Sequence, residues 1–453
     1  MYYLYNFIFY LFLPFLFIRL WLKQNKTKAY QKFPQDGRWK ERLGFISGFN
    51  FTVQPIWIHS VSVGEFIAVL PLVNLLLKQH SNIPIIITTT TQTGSDLVLK
   101  TLGNKVFHSY IPWDLPDVMA RFYKKIKPRA ALIMETEIWP NLLFQANKKA
   151  IPIFLINARM SDKSFKSYKK IAGFTQTMMT YFSHVCVQNK ADLKRFIALG
   201  LLPRQISITG NIKFDLTINT DLIEKSKQMK KQLQWLNEGQ QQIILMISST
   251  HAGEDELMLN LYKQLKQNYP QLKLILVPRH PERFKQVLLL AKKILANKEL
   301  AIKTSQQNNQ RIIARTSITD SFINSKQKNT YDVLIGDSLG EMILYYSMAD
   351  IVIMGGTFIE HGGHNILEPA ILSKPIFYGD SMYNFATINS LFLAAKASVQ
   401  VKNINELNEK LNVFLDNPQD LEQLGINAKQ LMDKHSGSKE QIYEILKQFK
   451  IFD

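Results

Sequence analysis

The amino-acid sequence predicts an α/β protein with two domains, each a parallel sheet covered by helices on both faces. Short runs rich in β-branched and other apolar residues recur along the chain, and each is followed by a polar stretch and then by a helical one. Strands that are apolar throughout are typical of parallel sheets, because both faces of such sheets are buried. A chain of 453 residues is also too long for a single hydrophobic core.

The predicted strands form two groups, separated by a charged stretch at 219–242 that is rich in lysine and glutamine. We therefore predict a first domain at 36–218, an interdomain linker at 219–242, and a second domain at 243–453 that ends in closing helices. Residues 303–330 are mostly polar and are predicted to form a surface excursion. The predicted strands are 56–59, 83–88, 130–134, 151–156, 184–187 and 206–209 in the first group, and 243–247, 272–277, 333–335, 351–354 and 375–377 in the second.

The N-terminal segment points to a membrane. Residues 1–18 carry no charge and are rich in phenylalanine, tyrosine and leucine, and basic residues such as Arg19 and Lys23 follow them. This length is about the minimum that spans a hydrocarbon core, or it embeds deeply in one leaflet. A cleaved signal peptide would begin with positive charge and end in small residues, and neither feature is present. We predict an uncleaved anchor at 1–22 with the rest of the chain on the cytoplasmic side.

The composition favours an anionic partner. The chain has 55 Lys and Arg against 36 Asp and Glu, a formal net charge of +19. The basic residues are scattered and no nucleic-acid-binding motif is present, so a membrane surface or an acidic substrate is the better interpretation. The single cysteine, Cys186, stands in an apolar run and is predicted to be a core residue in a reducing compartment.

Polar residues stand at the predicted carboxyl ends of the strands, where parallel sheets present their loops. Glu65 follows a Ser/Gly loop at the start of an apolar helix. A glutamate in a first turn usually compensates the helix dipole, but the open loop beside it also suits a general base that must reach a substrate hydroxyl. Glu135 and Glu137 follow another strand. Either one of them caps the following helix and the other pairs with a lysine, or at least one of them is part of the functional site.

Two cations follow later strands of the first domain. Arg159 either has a structural role or clamps an anion. Lys213 either neutralises the developing charge of a transferred acid or phosphate, or is a solvated lysine. The sequence leaves both alternatives open.

Donor-rich loops follow four strands of the second domain, which favours nucleotide binding there. In residues 354–370 a strand, a glycine pair, a Gly/His loop and a helix start follow one another, the order of an anion site. Glu368 in this helix start suits ribose hydroxyls, and Arg279 beside His280 suits a phosphate. Gly340, within a loop at 337–341, permits close ligand approach. The fourth loop, 248–256, is a polar strand end that leads into a helix.

A metal site and a dinucleotide site are not expected. His361 and His364 stand in a glycine loop without a clear third ligand. No Walker lysine loop and no GxGxxG motif opens the first domain, which argues against P-loop and dinucleotide enzymes.

These motifs together resemble the 3-deoxy-D-manno-octulosonic acid (Kdo) transferases of lipid A biosynthesis, and the resemblance covers nearly the whole chain. It implies a glycosyltransferase-B (GT-B) fold, two Rossmann-like domains facing across a cleft, with an N-terminal membrane anchor helix. Lys40 and Ile366 depart from the family pattern, in which glycine and proline are common at these positions, and neither departure removes a chemical group. The segments that carry the resemblance are 59–65, 134–141, 157–159, 213–215, 249–251, 277–283 and 362–368.

The resemblance implies an inverting, metal-independent transfer of Kdo from CMP-Kdo to the tetraacyl lipid A precursor (lipid IVA), without a cofactor. It implies Glu65 as the general base, with Glu135 and Lys213 stabilising the transition state. It also implies a location at the cell inner membrane, with the catalytic domains on the cytoplasmic side. The CMP-binding residues that it implies are Pro278, Arg279, Leu339, Gly340, Glu341, Asn365, Ile366, Leu367 and Glu368.

Three other functions compete with this interpretation. One is another GT-B enzyme that uses a UDP-sugar, and a comparison of CMP and UDP donors separates the two. Another is a membrane-anchored module that binds acidic glycolipid. For the binding module, a Glu65→Ala variant should still bind lipid, whereas for the enzyme the variant should lose turnover and keep its fold. Nucleic-acid binding is the third and weakest, with salt-sensitive association as its only expected trace.

Overall fold

The computed structural model describes residues 1–24, 38–236, 242–295, 311–318 and 331–453, and of residues 17 and 19–24 it describes the backbone alone. The described chain divides into two compact units, residues 1–215 with 435–453, and residues 216–434. Each unit contains a seven-stranded sheet of parallel strands. The prediction of two α/β domains with parallel sheets is confirmed.

Seven parallel strands, most of them rich in apolar residues, form the sheet of the first unit. The strands are β1 (Ile56–His59), β2 (Ile85–Thr89), β3 (Phe107–Tyr110), β4 (Ala130–Met134), β5 (Ile153–Ala158), β6 (His184–Val187) and β7 (Ile206–Ile208). Their order across the sheet is β3-β2-β1-β4-β5-β6-β7. Trp57 and Ile133 pack into the core on one face, whereas Ile58, Leu132 and the free Cys186 pack into the core on the other. Because both faces are buried, the central strands β1, β4 and β5 are apolar at nearly every position.

Side-chain caps start several helices of the first unit directly after a strand. The side-chain oxygens of Ser62, Thr91 and Asn189 accept amide protons of the first turns of the helices that follow them. Strand end and helix start therefore meet at the carboxyl edge of the sheet. The helices are α1 (Tyr2–Gln24), α2 (Val63–Gln79), α3 (Gln92–Leu102), α4 (Pro116–Ile126), α5 (Pro140–Lys148), α6 (Asp162–Lys169), α7 (Ala172–Met179) and α8 (Lys190–Ala198), with 3-10 helices at Arg38–Leu43 and Ile212–Phe214.

The second unit repeats this build with a different order of strands. Its strands are β8 (Ile243–Thr250), β9 (Leu272–Pro278), β10 (Ile312–Ala314), β11 (Val333–Ile335), β12 (Ile351–Met354), β13 (Ile376–Tyr378) and β14 (Val399–Gln400), in the order β10-β11-β9-β8-β12-β13-β14. Its helices are α9 (Thr220–Gln232), α10 (Glu254–Asn268), α11 (Phe284–Leu295), α12 (Met342–Met348), α13 (Leu367–Ile371), α14 (Ala386–Ala394), α15 (Ile404–Asp416) and α16 (Pro418–His435).

Three strands escape prediction from the sequence, and all three are edge or near-edge strands. β3 reads Phe-His-Ser-Tyr and lacks the β-branched residues that marked the other strands, and β14 is only two residues long. β10 lies inside the polar region at 303–330 that was predicted to be a surface excursion. Its three apolar residues pair in parallel with β11, so that prediction is wrong for the described part of this region.

The boundaries of the two units differ from the predicted domains in two places. The stretch predicted as a linker contains α9, which belongs to the second unit. The closing helix α17 (Ser438–Gln448), which was predicted within the second domain, belongs to the first unit. The Asp215 carboxylate accepts the backbone N–H groups of Gly437, Ser438 and Lys439, at 2.6, 3.3 and 2.6 Å respectively, and so fixes the start of α17. Asp215 therefore has a structural role.

Helix α1 contacts the first unit through one face and exposes apolar side chains on the other. Among the described residues, no helix combines the length and the apolar character needed to cross a bilayer. The anchor at 1–22 stays a prediction, and most of the basic connector that follows it lies outside the described residues. The exposed apolar and aromatic side chains of α1 are Tyr3, Leu4, Phe7, Ile8, Tyr10, Leu11, Phe12, Phe15 and Ile18.

Candidate active site

Glu65 lies in the first turn of α2, directly after β1. Its Oε2 accepts the backbone N–H of Val61 at 2.7 Å, and its own N–H is donated to the Ser62 hydroxyl at 3.4 Å. This arrangement is a variant of the capping box, with the carboxylate turned back toward the strand end. Burial raises the pKa of Glu65 to about 7, and the nearby charges of Glu135 and Glu137 raise it further against the opposing effects of the Val61 N–H and Lys213.

Glu135 is a buried carboxylate held between two cations at the end of β4. Arg159 Nε donates to its Oε2 at 2.6 Å, and Lys213 Nζ lies 3.4 Å from its Oε1. Both cations that the sequence left undecided therefore contact the same carboxylate. Only 6% of Glu135 is exposed, and its backbone has a φ of 54°, the left-handed region that non-glycine residues seldom adopt. A strained, buried and paired carboxylate is typical of a functional site.

A third carboxylate, Glu137, completes the cluster. Burial raises its pKa, an interaction with the side chain of Trp139 lowers it, and the charge of Glu135 raises it again. The sequence predicted that at least one of Glu135 and Glu137 serves the site. In the structure both lie near enough to Glu65 for their charges to raise its pKa.

The order of the strands explains how residues far apart in sequence meet here. β1 pairs with β4 and β4 with β5, so the loops after these three strands lie side by side. Asn157 at the end of β5 has a φ of 51°, and its side-chain oxygen accepts the backbone N–H of Ile212 at 3.2 Å. Asn211 Oδ1 accepts the backbone N–H of Lys213 at 3.0 Å. Two asparagine side chains thus position the short helix that carries the lysine.

Sequence reasoning missed the residues that surround the end of β2. Arg42 donates to the carbonyl oxygens of Thr90 and Ile111, at 2.5 and 3.4 Å, and its guanidinium lies over the ring of Tyr110. His59 Nδ1 lies 3.1 Å from the carbonyl oxygen of Thr88. A repeated threonine motif at 88–91, directly after an apolar run, was the available signal. These contacts fix the loop beside the one that leads to Glu65.

The glycine loop of the second unit is held by a buried carboxylate that the sequence did not single out. Glu254, the first residue of α10, accepts the backbone N–H groups of His251, Gly356 and Phe358 at 3.0, 2.7 and 3.2 Å. The amides of the glycine loop at 354–370 were predicted to be available to a phosphate. In the structure the N–H groups of Gly356 and Phe358 are instead donated to the Glu254 carboxylate, at the start of α10.

The glycine pair has a packing role. A Cβ on Gly355 would lie 2.7 to 2.8 Å from the backbone of Ser248, Ser249 and Thr250 in β8. Gly356 has a φ of 68°. The close approach of two strands therefore requires the first glycine, and the turn after β12 requires the second.

Four histidines meet near Arg279 in the second unit. His251 Nε2 lies 2.9 Å from His364 Nε2, and the His251 ring stacks on His361 with a centroid distance of 4.0 Å. The ring of His280 lies 5.3 Å from that of His251. Burial, with the charges of Arg279 and the other imidazoles, lowers the pKa of His251 to about 4 and that of His364 to about 3. Within the described residues, no group of three or more His, Cys, Asp or Glu side chains is arranged to hold a metal ion.

Helix α13 has only five residues, and the residue before it is Ile366. Asn365 Oδ1 accepts the backbone N–H of Leu367 at 3.2 Å, and its Nδ2 donates to Glu368 at 3.3 Å. Burial raises the pKa of Glu368. The side chains of Ile366 and Leu367 are buried, so a ligand would meet their backbone.

The other predicted nucleotide-binding residues lie at two strand ends. Pro278 is the last residue of β9 and is followed by Arg279. Leu339 is 64% exposed, and Gly340 has a φ of 86°. Glu341 pairs with Arg315 at 2.8 Å. The segment at 337–341 is therefore exposed at Leu339 and Gly340, whereas its two acids, Asp337 and Glu341, already have partners.

Comparison with known proteins gives matches over most of the chain. Residues 37–216 match the family model described as 3-deoxy-D-manno-octulosonic-acid transferase (kdotransferase), and residues 323–431 match that of the group 1 glycosyl transferases. The 3-deoxy-D-manno-octulosonic acid transferase of Haemophilus influenzae is 35% identical over 418 residues, 91% of this chain and 92% of that protein. The Rickettsia bellii protein of the same name is 31% identical over 98% of this chain and 99% of that protein.

A solved structure agrees at the level of fold. The crystal structure of UDP-GlcNAc 2-epimerase from Neisseria meningitidis, bound to UDP-GlcNAc, matches 87% of this chain and 100% of its own with a TM-score of 0.55. The sequence identity is 15%, so this likeness shows the fold alone.

Two parallel-sheet α/β units of GT-B-like fold, together with the two matched family models, define the chain as a glycosyltransferase. The sequence identity to the Haemophilus protein, over nearly the full length of both chains, identifies the family within the glycosyltransferases. The chain belongs to the 3-deoxy-D-manno-octulosonic acid (Kdo) transferase family, and it is an enzyme of that activity. The family predicted from the sequence motifs is confirmed.

Proposed function

We propose that the enzyme transfers Kdo from CMP-Kdo to the tetraacyl lipid A precursor, lipid IVA, with inversion at the anomeric carbon and without a metal ion or cofactor. The observation that best supports this proposal is the environment of Glu65. A general base needs a pKa near the working pH, and burial raises that of Glu65 to about 7.

In the proposed reaction the ionised Glu65 removes the proton from an acceptor hydroxyl. The hydroxyl oxygen forms a bond to the anomeric carbon of Kdo while the bond from that carbon to the CMP phosphate oxygen breaks. CMP leaves with the electron pair of that bond. Attack on the face opposite the leaving group inverts the configuration.

Glu135 and Lys213 are proposed to stabilise the transition state. Lys213 lies 3.4 Å from Glu135 Oε1, and Arg159 occupies the other oxygen. The two cations compensate the charge of the buried Glu135 carboxylate, and Lys213 retains N–H donors for the carboxylate of the transferred Kdo. The positive charge that develops at the anomeric carbon is in turn favoured by the carboxylates.

The second unit is proposed to bind CMP-Kdo. Arg279 supplies a cation for the phosphate of the leaving group, and Pro278 precedes it at the end of β9. Leu339 and Gly340 provide an open loop, with Glu341 beside them. Asn365 and Glu368 offer polar groups to the ribose, and Ile366 and Leu367 offer their backbone.

The enzyme is proposed to act at the cytoplasmic side of the cell inner membrane, held there by α1. The outward face of α1 carries exposed apolar side chains at helical spacing, such as Leu4, Leu11 and Phe15. Beside α1, the helix α4 carries Lys124 and Lys125, which are exposed. An apolar helix face next to basic residues suits anionic lipid, and no nucleic acid is required to explain the charge.

Mass spectrometry of lipid IVA incubated with CMP-Kdo and purified enzyme in EDTA tests this proposal. We expect a gain of one or more Kdo masses with the wild type. Glu65→Gln should lose this activity by at least about a hundredfold, because an amide cannot take the proton. The matched control is Glu224→Gln on the exposed face of α9, which should transfer normally.

Three other results would each contradict one part of the proposal. Transfer from a UDP-sugar instead of CMP-Kdo would refute the proposed donor and leave the fold intact. Full activity in Glu65→Gln would refute the assignment of the base, and loss of activity in EDTA would refute metal independence.

A further inference from the structure

Side chains on the inner face of α1 bind the first unit through a specific set of hydrogen bonds. The Tyr2 hydroxyl donates to Asn141 Oδ1 at 2.6 Å, and the Tyr5 hydroxyl donates to Asp114 Oδ2 at 2.9 Å. Asn6 Oδ1 accepts from Asn141 Nδ2 at 2.8 Å. A helix that served only as a lipid anchor would need none of these polar contacts. The first two turns of α1 are therefore part of the folded unit.

These contacts converge on the start of α5. The residue before α5 is Trp139, which offers no capping side chain. The buried Asp114 carboxylate takes that role instead, and it accepts the backbone N–H of Asn141 at 2.9 Å and that of Leu142 at 2.7 Å. Asn141 Nδ2 also donates to the Asp114 carbonyl oxygen at 2.6 Å. Asp114 and Asn141 form one node, and α1 contacts both of them.

The same node ends the loop that carries two carboxylates of the site. This loop leaves β4 at Glu135, whose backbone N–H is donated to the carbonyl oxygen of Ile156 at 3.0 Å. It then passes Glu137 and reaches α5 at Pro140. β5 therefore fixes the first end of the loop, and the Asp114–Asn141 node fixes the other. Motion at the node would move Glu135 and Glu137, whose charges act on Glu65.

We infer that α1 is a positioning element of the active site: Tyr2, Tyr5 and Asn6 hold the loop of Glu135 and Glu137 in place through Asp114 and Asn141. The inference rests on the proposed function, because it gives the loop a role in turnover. It assigns α1 two faces with separate tasks, the outer one toward lipid and the inner one toward the catalytic loop. If α1 were an anchor alone, its inner hydrogen bonds would affect stability but not catalysis.

The test uses the full-length enzyme with Tyr2→Phe, Tyr5→Phe and the double variant. Each change removes one hydroxyl group and no carbon atom. Tyr3→Phe and Tyr10→Phe are the matched controls. Tyr3 is 86% exposed, and Tyr10 bonds Asp117 on the surface, away from the loop. kcat and KM are measured with lipid IVA in detergent micelles, so that membrane binding does not limit the rate, and Tm is recorded for every variant.

We expect kcat to fall roughly tenfold in the double variant with little change in KM for CMP-Kdo. The midpoint of the pH profile should also move to lower pH, because a displaced loop carries two negative charges away from Glu65. The control variants should match the wild type. Asn6→Ala provides an independent variant of the same contact and should show the same pattern if the double variant is too unstable to assay.

Wild-type kcat and pH midpoint in the inner-face variants, with only a lower Tm, would overturn the inference. An equal loss of kcat in Tyr10→Phe would overturn it as well, since Asp117 does not contact the loop. Absence of transfer by the wild-type enzyme would instead refute the proposed function, so the two failures are distinguishable.

Discussion

Glu65 has an unusual position among first-turn carboxylates. A carboxylate at a helix N-terminus is normally stabilised in its ionised form by the helix dipole and by backbone N–H groups. Here a single N–H is donated to it, from Val61, and burial together with Glu135 and Glu137 outweighs that effect. The result is a carboxylate whose pKa of about 7 suits the proposed role of general base.

This environment predicts the pH dependence of turnover. In the proposed mechanism the ionised form of Glu65 is the base, so kcat/KM should rise with pH through a midpoint near the pKa of about 7. Steady-state kinetics between about pH 5.5 and 8.5 measure this midpoint. A profile that is flat across this range would contradict the role of Glu65.

The same pKa predicts a stability change of defined sign. The folded protein holds the Glu65 proton more tightly than the unfolded chain. The stability that this contributes is complete below the unfolded pKa of 4.5 and is lost as pH rises through about 7. Glu65→Gln should therefore stabilise the protein at pH 8, by about 1–3 kcal/mol, and have little effect at pH 4. Chemical denaturation at both pH values provides the measurement, and equal effects at the two would contradict it.

Gly355 supports a prediction about packing. An alanine Cβ would meet backbone atoms of β8 at 2.7 to 2.8 Å, and backbone cannot move as a side chain can. Gly355→Ala should cost about 1–3 kcal/mol of the free energy of unfolding. Gly173→Ala is the control, because no heavy atom lies within 4 Å of its Cβ and alanine favours a helix. An equal cost at both positions would contradict the packing explanation.

At the scale of elements, the start of α17 depends on a residue more than two hundred positions earlier in the chain. Asp215 accepts three backbone N–H groups there. Asp215→Ala should lower the free energy of unfolding by about 1–3 kcal/mol, since those donors lose their partner. Asp420→Ala on the surface of α16 is the control. If thermal melting shows no difference between the two variants, the capping role of Asp215 is wrong.

Strand position was predictable to the extent that each strand was apolar. β1, β4, β6, β11 and β12 begin and end at the predicted residues. β3, β10 and β14 were not predicted from the sequence. Strands at the edge of a sheet are partly exposed, so they can contain polar residues or be very short. The unit to which α17 belongs could not be predicted either, because its apolar residues show that one face is buried but not which unit buries it.

At the scale of the whole molecule, net charge and the outer face of α1 act together. We expect the enzyme to bind vesicles that contain anionic lipid more strongly than neutral vesicles, because the formal charge is +19 and the proposed membrane attachment inserts the apolar face of α1 at the interface. Added salt should weaken the electrostatic part of the binding only. Sedimentation with vesicles tests this expectation. Leu11→Ser should reduce binding at every salt concentration, and equal binding to neutral vesicles would contradict the role of charge.

The sequence by itself determined the fold class, the family and the identity of Glu65, Glu135 and Lys213 as candidate catalytic residues. Apolar periodicity and short motifs are local properties, so they can be read along the chain. Tertiary structure alone decided which partners these groups meet. The Glu254 carboxylate accepts backbone N–H groups about a hundred residues away along the chain. Arg159 and Lys213 both pair with Glu135, and α1 contacts the start of α5. Such partners are set by the order of strands in the sheet, which no local pattern specifies.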